Sequence, residues 1–199
     1  MTAEKEARPI NELARRVLQN VQISSPTSNQ IKKSIPDLRG IPERYRQARL
    51  ADFDGIKVDW NKGGFFLSGP TGIGKTHLAT AILVDRIKDQ EWLWISVPEL
   101  MLRIRSSFDA KSETSEMQVV DRYSKVPLLL LDDLGAEKRS DYSVSTFYLI
   151  LSNRINRMRE TIVTTEMGLD RIHRWQPRIA SRLASFQKIK LPDVDRRMK

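Results

Sequence analysis

The sequence contains no cysteine. Disulfides and Cys-built zinc sites are therefore excluded, and nothing points to secretion. Histidine is almost as scarce, with His77 and His173 alone, which argues against a His-built metal site. Long apolar runs are missing too. The longest, Val126–Leu131, is far too short to cross a bilayer. Glu4, Glu6 and Glu12 interrupt the first residues, so no signal peptide is legible. A cytoplasmic location without membrane attachment is the expectation.

What is present suits a folded chain. The 199 residues are 40% hydrophobic and 30% charged, enough for one domain with a proper core and a short appendage. The net charge of +9 is unevenly placed. Residues 1–36 carry six Lys/Arg against three acids, and residues 171–199 carry nine against two, which leaves the middle near neutral. A basic end attracts nucleic acid; the alternative is that these arginines serve a bound nucleotide and a neighbouring subunit's acids.

Ile10, Leu13, Ala14, Val17, Leu18 and Val21 recur at helical spacing, predicting an amphipathic helix over 10–21. Ser24–Gln30 (SSPTSNQ) reads as a linker. Residues 1–36 are thus expected to be a helix and linker able to dock on a partner or to fold back, and residues 37–199 the globular domain. Within the latter, Gly64–Ser68 reads as a buried strand, Thr76–Lys88 as a helix and Trp92–Ser96 as a strand. Ser96 and Glu99 form a capping-box pattern, starting a helix that runs to about Ser107. Asp109–Thr114 reads as a polar loop, Val126–Leu131 as a strand covered on both faces, and Ser140–Met158 as a long helix. Glu160–Thr165 is a further strand, Ile172–Phe186 is helical around Pro177, and Lys188–Leu191 is a last strand. Strands alternating with helices predict a parallel α/β sheet flanked by helices.

Gly69-Pro70-Thr71-Gly72-Ile73-Gly74-Lys75-Thr76 matches G-x-x-x-x-G-K-[ST] between that first strand and helix. Glycines let main-chain N–H groups wrap a phosphate, and the helix N-terminus faces the same anion. Lys75 is expected on the β- and γ-phosphates, and the Thr76 hydroxyl on Mg2+. Leu128-Leu129-Leu130-Leu131-Asp132-Asp133 puts two acids at the carboxyl end of a buried strand, the edge where ligands of open α/β sheets sit. Asp132 is the candidate carboxylate for Mg2+. Asp133 is favoured over Glu137 to polarise the attacking water.

GPTGIGKTHLA, LLLLDDLGAEK, IVTTEM and PRIASRL, preceded by Gly40–Tyr45 (GIPERY) and Ala51–Asp54 (ADFD), resemble the AAA+ ATPases of the DnaC/DnaI helicase-loader and IstB-like group. The resemblance covers about residues 38–191. It implies a P-loop NTPase fold of the AAA+ core type, without a C-terminal lid domain, binding ATP and Mg2+. His77 follows Thr76 as in that group and is counted with the nucleotide loop, although its own side chain is expected to pack or cap locally. The group's sensor at the end of the fourth strand falls on Thr164 or Thr165. Many relatives have Asn at the position of Glu166; a Glu there would repel phosphate, so Thr165 is the favoured sensor. Arg182 matches an arginine finger acting in trans on a neighbour's ATP, with Arg178 one helical turn earlier. Any lid-type arginine would have to be Arg196 or Arg197. The implied partners are a hexameric replicative helicase, docked through residues 10–21, single-stranded DNA, with Arg103 and Arg105 as possible contacts, and further copies of the chain. The alternative is an IstB-like transposition helper acting on duplex DNA.

Overall fold

In the strands of this chain, apolar residues occupy consecutive positions instead of every second one, because both faces of the sheet are covered. In the computed structural model, which describes residues 38–87, 90–109, 112–138 and 140–191, Phe65, Leu67, Leu128, Leu130 and Ile162 enter one core layer. Phe66, Ile95, Leu129, Leu131 and Val163 enter the other. The segregation follows the period of two in an extended chain.

The strands are β1 (Gly64–Ser68), β2 (Trp92–Ser96), β3 (Leu128–Leu134), β4 (Glu160–Thr165) and β5 (Gln187–Ile189). They form one sheet in the order β2-β3-β4-β1-β5, and every pairing is parallel. The crossovers carry α1 (Lys75–Arg86), α2 (Val97–Ser106), α3 (Glu116–Lys125), α4 (Asp141–Asn156), α5 (Leu169–Trp175) and α6 (Pro177–Leu183). Helix α1 packs on one face; α2 to α6 contribute to the core on the other. Short 3-10 turns at Glu43–Tyr45 and Leu50–Asp52 precede β1.

Helix starts follow local chemistry. The Ser96, Ser115 and Ser140 hydroxyls accept from the main-chain N–H of Glu99, Gln118 and Ser143, respectively, satisfying amides that an isolated first turn would orphan. Helix α3 was not anticipated. Its buried stripe is only Val120, Tyr123 and Ser124, too narrow for periodicity, but Ser115 and Gln118 form a capping box. The expected helix over 172–186 is two helices meeting at Pro177, and β3 starts two residues late. Val126 and Pro127 precede it because their carbonyls accept from Arg154.

The expected helix over 10–21, the boundary between 1–36 and 37–199, Arg196 and Arg197 all lie outside the described residues. Among the described residues, no helix is long and apolar enough to cross a membrane.

Candidate functional site

β1 and β3 end at one edge of the sheet, and the chain leaves β1 through Gly69–Gly74 directly into α1. Gly74 sits at the helix N-cap with φ 95°, a left-handed conformation that costs a Cβ-bearing residue steric strain. A Cβ on Gly69 would stand 2.6 Å from Ile73 Cδ1. Ile73 is itself buried, so the loop folds around its own apolar anchor. Lys75, only 6% exposed, donates through Nζ to the Pro70 carbonyl at 2.8 Å. The ammonium is thereby aimed back across the loop.

Opposite stands the end of β3. Asp132 Oδ1 accepts from Thr76 Oγ1 at 3.0 Å and from Thr164 Oγ1 at 2.5 Å. The Asp133 N–H donates to the same Thr164 oxygen at 2.9 Å. Asp133 takes a left-handed φ of 58° where the ladder to β4 slips between Leu131 and Leu134. The irregularity separates the two acids: Asp132 is buried, whereas Asp133 is exposed and lines the cleft. Glu137 takes no place there. Its buried carboxylate accepts from the Gly135 N–H at 2.8 Å and shapes the loop after β3.

The cleft has a volume of about 1030 Å³. Thr71, Lys75, Thr76, Asp132, Asp133 and Glu166 line it, together with Arg44, Tyr45, Asp52, Phe53 and His77. His77 Nε2 lies 2.7 Å from Asp52 Oδ2, and its ring meets Phe53 and Tyr45 at centroid separations of 5.5 and 6.4 Å. The hydrogen bond from His77 holds the Asp52 carboxyl below its ordinary range.

Not every expected residue reaches the cleft. Gly69, Pro70 and Ile73 shape the loop without lining it. Thr165 points elsewhere: its buried hydroxyl donates to the Leu134 carbonyl at 2.7 Å and accepts from the Met167 N–H at 3.1 Å. The strand-end polar contact belongs to Thr164 instead, because the register of β4 on β3 sets which threonine meets Asp132. Arg182 is half-buried on α6, its guanidinium 5.9 Å from the centre of the Tyr148 ring, and it is not among the cleft-lining residues. Sequence reasoning missed Glu166 as a partner of the loop; Thr71 Oγ1 donates to its carboxylate.

Thr76 and Asp132 offer hard oxygen donors side by side, a set that suits Mg2+ sharing its remaining positions with water and phosphate. Burial pushes the Asp132 carboxyl up to about 6; the Thr164 hydrogen bond opposes this and the Asp133 charge adds to it. The folded chain therefore holds this proton more tightly than the unfolded one, and stability falls as pH rises from about 4 through 6. Asp132→Asn carries no such charge. In the presence of a chelator it should be more stable than wild type at pH 8, by about 3 kcal/mol, with the difference gone near pH 4. A difference independent of pH would refute this origin.

A strand, a glycine-rich anion loop and a helix, faced by the carboxylate at the end of β3, one strand removed from β1 in a 2-3-4-1-5 parallel sheet, define a P-loop nucleotide-binding domain with the AAA+ core. Residues 39–183 match the family described as "IstB-like ATP binding protein", and the chain belongs to that family. It is similar to the replicative helicase loader DnaC of Escherichia coli K12, 31% identical over 115 residues, 57% of this chain and 46% of that protein. Against DnaC of Buchnera aphidicola (strain Bp) the identity is 32%, over 51% of this chain and 42% of the relative. The matched region thus spans less than half the length of these relatives. Among solved structures, DnaI superposes with a TM-score of 0.60 at 26% identity, over 78% of this chain and 93% of that one. A DnaC helicase loader superposes at 0.62 and 23% identity, over 76% and 100%, a likeness of fold.

Proposed function

We propose that this chain is an Mg-ATP-driven loader of a hexameric replicative helicase that also holds single-stranded DNA. The observation that carries the ATPase half is the convergence of Lys75, Thr76 and Asp132 in one cleft, with the buried Thr164 hydrogen-bonded to Asp132 behind them; similarity to DnaC loaders supports the loading half. Lys75 and the loop amides grip the phosphates, and Thr76 and Asp132 would hold Mg2+. The ion supplies charge neutralisation on the phosphate oxygens. Asp133 orients the attacking water and accepts its proton. Thr164, fixed between Asp132 Oδ1 and the Asp133 N–H, takes the sensor role expected of Thr165. His77 and Asp52 frame the adenosine end.

A separate surface suits single strands. Phe108 and Tyr142 are 54% and 38% exposed, with ring centroids 5.6 Å apart; the Tyr142 hydroxyl donates to Glu116 at 2.6 Å, and Arg105 stands within electrostatic reach of it. Exposed aromatics beside a cation offer stacking and phosphate contact together. Arg103 is a weaker candidate for DNA, since its guanidinium donates to Glu99 at 2.7 Å. Phe108→Ala should weaken binding of an oligo-dT strand about tenfold, read by fluorescence anisotropy, while leaving ATP affinity unchanged. No loss would remove this surface from the proposal.

Lys75→Ala should lower ATP affinity at least about a hundredfold with circular dichroism retained; unchanged affinity would sink the whole site. The deciding experiment for the loader is co-purification with the host's replicative helicase in the presence and absence of ATP. Failure to form a complex in either condition overturns it. The match to the IstB-like family favours a second reading, a transposition helper on duplex DNA, which preference for duplex over single strands would select.

A further inference from the structure

The Glu166 carboxylate stands at the end of β4 and accepts from Thr71 Oγ1, a hydroxyl of the phosphate loop 95 residues away in sequence. Both residues are exposed and both line the nucleotide cleft. A carboxylate touching an anion-binding loop runs against that loop's charge preference. The neighbouring backbone keeps it there. Thr165 is tied to the Leu134 carbonyl and to the Met167 N–H, and the Met167 side chain is buried in the core. The backbone is therefore fixed on both sides of Glu166, and its side chain is the part able to turn.

A polyphosphate held by Lys75 and the loop lies in the same cleft as Asp132, Asp133 and Glu166, at the ends of β3 and β4. ADP and ATP share the phosphates gripped by the loop and differ in the terminal one, which adds negative charge on the side where Asp132, Asp133 and Glu166 stand. Asp132 and Thr76 have a use for that charge through Mg2+. Glu166, hydrogen-bonded to the loop instead, has none.

We propose that Glu166 is a specificity-determining residue of the nucleotide site, whose carboxylate, seated on Thr71, opposes a terminal phosphate and biases the cleft toward ADP over ATP. This rests on the ATP-binding reading given above. Entry of ATP then costs the Glu166–Thr71 contact, so the contact reports which nucleotide is bound at the junction leading through Gly168 into α5 and α6, the helix of Arg182.

The test is calorimetric titration of wild type, Glu166→Gln, Thr71→Val and the double variant with ADP and with AMPPCP, each with Mg2+. Glutamine preserves shape and can still accept from Thr71, so the fold is kept. Glu166→Gln should tighten AMPPCP about tenfold and leave ADP within about twofold. In the Thr71→Val background the same change should have a smaller effect on AMPPCP, because the contact that seats the carboxylate is gone. Equal shifts for both nucleotides, no shift, or weaker AMPPCP binding would overturn the proposal, and an undiminished effect in the Thr71→Val background would overturn the role of the contact. A wild type that binds neither nucleotide overturns the ATP-binding reading and this inference with it, whereas firm binding with an unchanged ratio overturns the inference alone.

Discussion

Arg154→Met should destabilise the fold by about 4 kcal/mol, read as a lowered urea midpoint at unchanged slope. Arg154 is fully buried, and its partners are main-chain carbonyls and one hydroxyl, without a carboxylate among them. Nε donates to Thr161 Oγ1 at 2.9 Å. Nη1 donates to the Tyr123 and Val126 carbonyls, both at 2.8 Å. Nη2 donates to Glu160 O at 2.6 Å and Pro127 O at 3.4 Å. One side chain thus joins the end of α3, the approach to β3 and the start of β4. Burial and the nearby Arg159 charge lower the guanidinium pKa, the signature of a cation whose desolvation is offset only by dipoles. Methionine fills much of the volume but leaves those acceptors unpaired, each at a cost of about 1 kcal/mol or more. Arg154→Lys should recover less than half, because a compact ammonium lacks the planar fork that reaches all five acceptors. Loss of under 1 kcal/mol in Arg154→Met would show that water replaces the fork.

Arg154 also marks the limit of what the sequence discloses. Nothing in its neighbourhood separates it from a solvated helix residue; only the packing of α4 across the entry of β3 and β4 buries it. The phosphate loop is the opposite case. Its glycines, lysine and threonine act through conformations set within a few residues, so spacing alone marked Lys75 and Thr76, while Asp132 was read separately from its place at the end of a leucine run. The choice between Thr164 and Thr165 lies between these extremes. Adjacent strand residues face opposite ways, and which of them meets Asp132 depends on the slip in the β3–β4 ladder at Leu131–Leu134, a tertiary event. The contact from Thr71 to Glu166 depends equally on two loops meeting across the cleft. Strand β3 was legible as a leucine run, but its extension past the acid pair to Leu134 was not, since Asp133 breaks the pattern by its backbone conformation and not by its polarity.

Arg182→Ala should lower the ATP turnover rate about a thousandfold while nucleotide affinity changes less than about threefold. The cleft explains why a further cation is needed. Arg44, Lys75 and Arg171 face Asp52, Asp132, Asp133 and Glu166 within it, so the site has no excess positive charge to meet a transferring phosphoryl group. Arg182 lies outside that cleft, over Tyr148. The Arg182 guanidinium is the main cause holding the Tyr148 phenol below its ordinary range, and Arg178 stands close by. A guanidinium seated on an aromatic ring is ordered without being neutralised, which suits one presented to another copy. The prediction has a form that a structural role cannot imitate. Lys75→Ala retains Arg182 but lacks the phosphate grip; Arg182→Ala retains the grip but lacks the finger. Each alone should be inactive, and mixing them should restore turnover if Arg182 acts in trans, the intact finger of one copy then meeting the intact loop of the next. Absence of recovery in the mixture, with both variants folded and able to associate, would remove Arg182 from action in trans and leave its place on Tyr148 as packing alone.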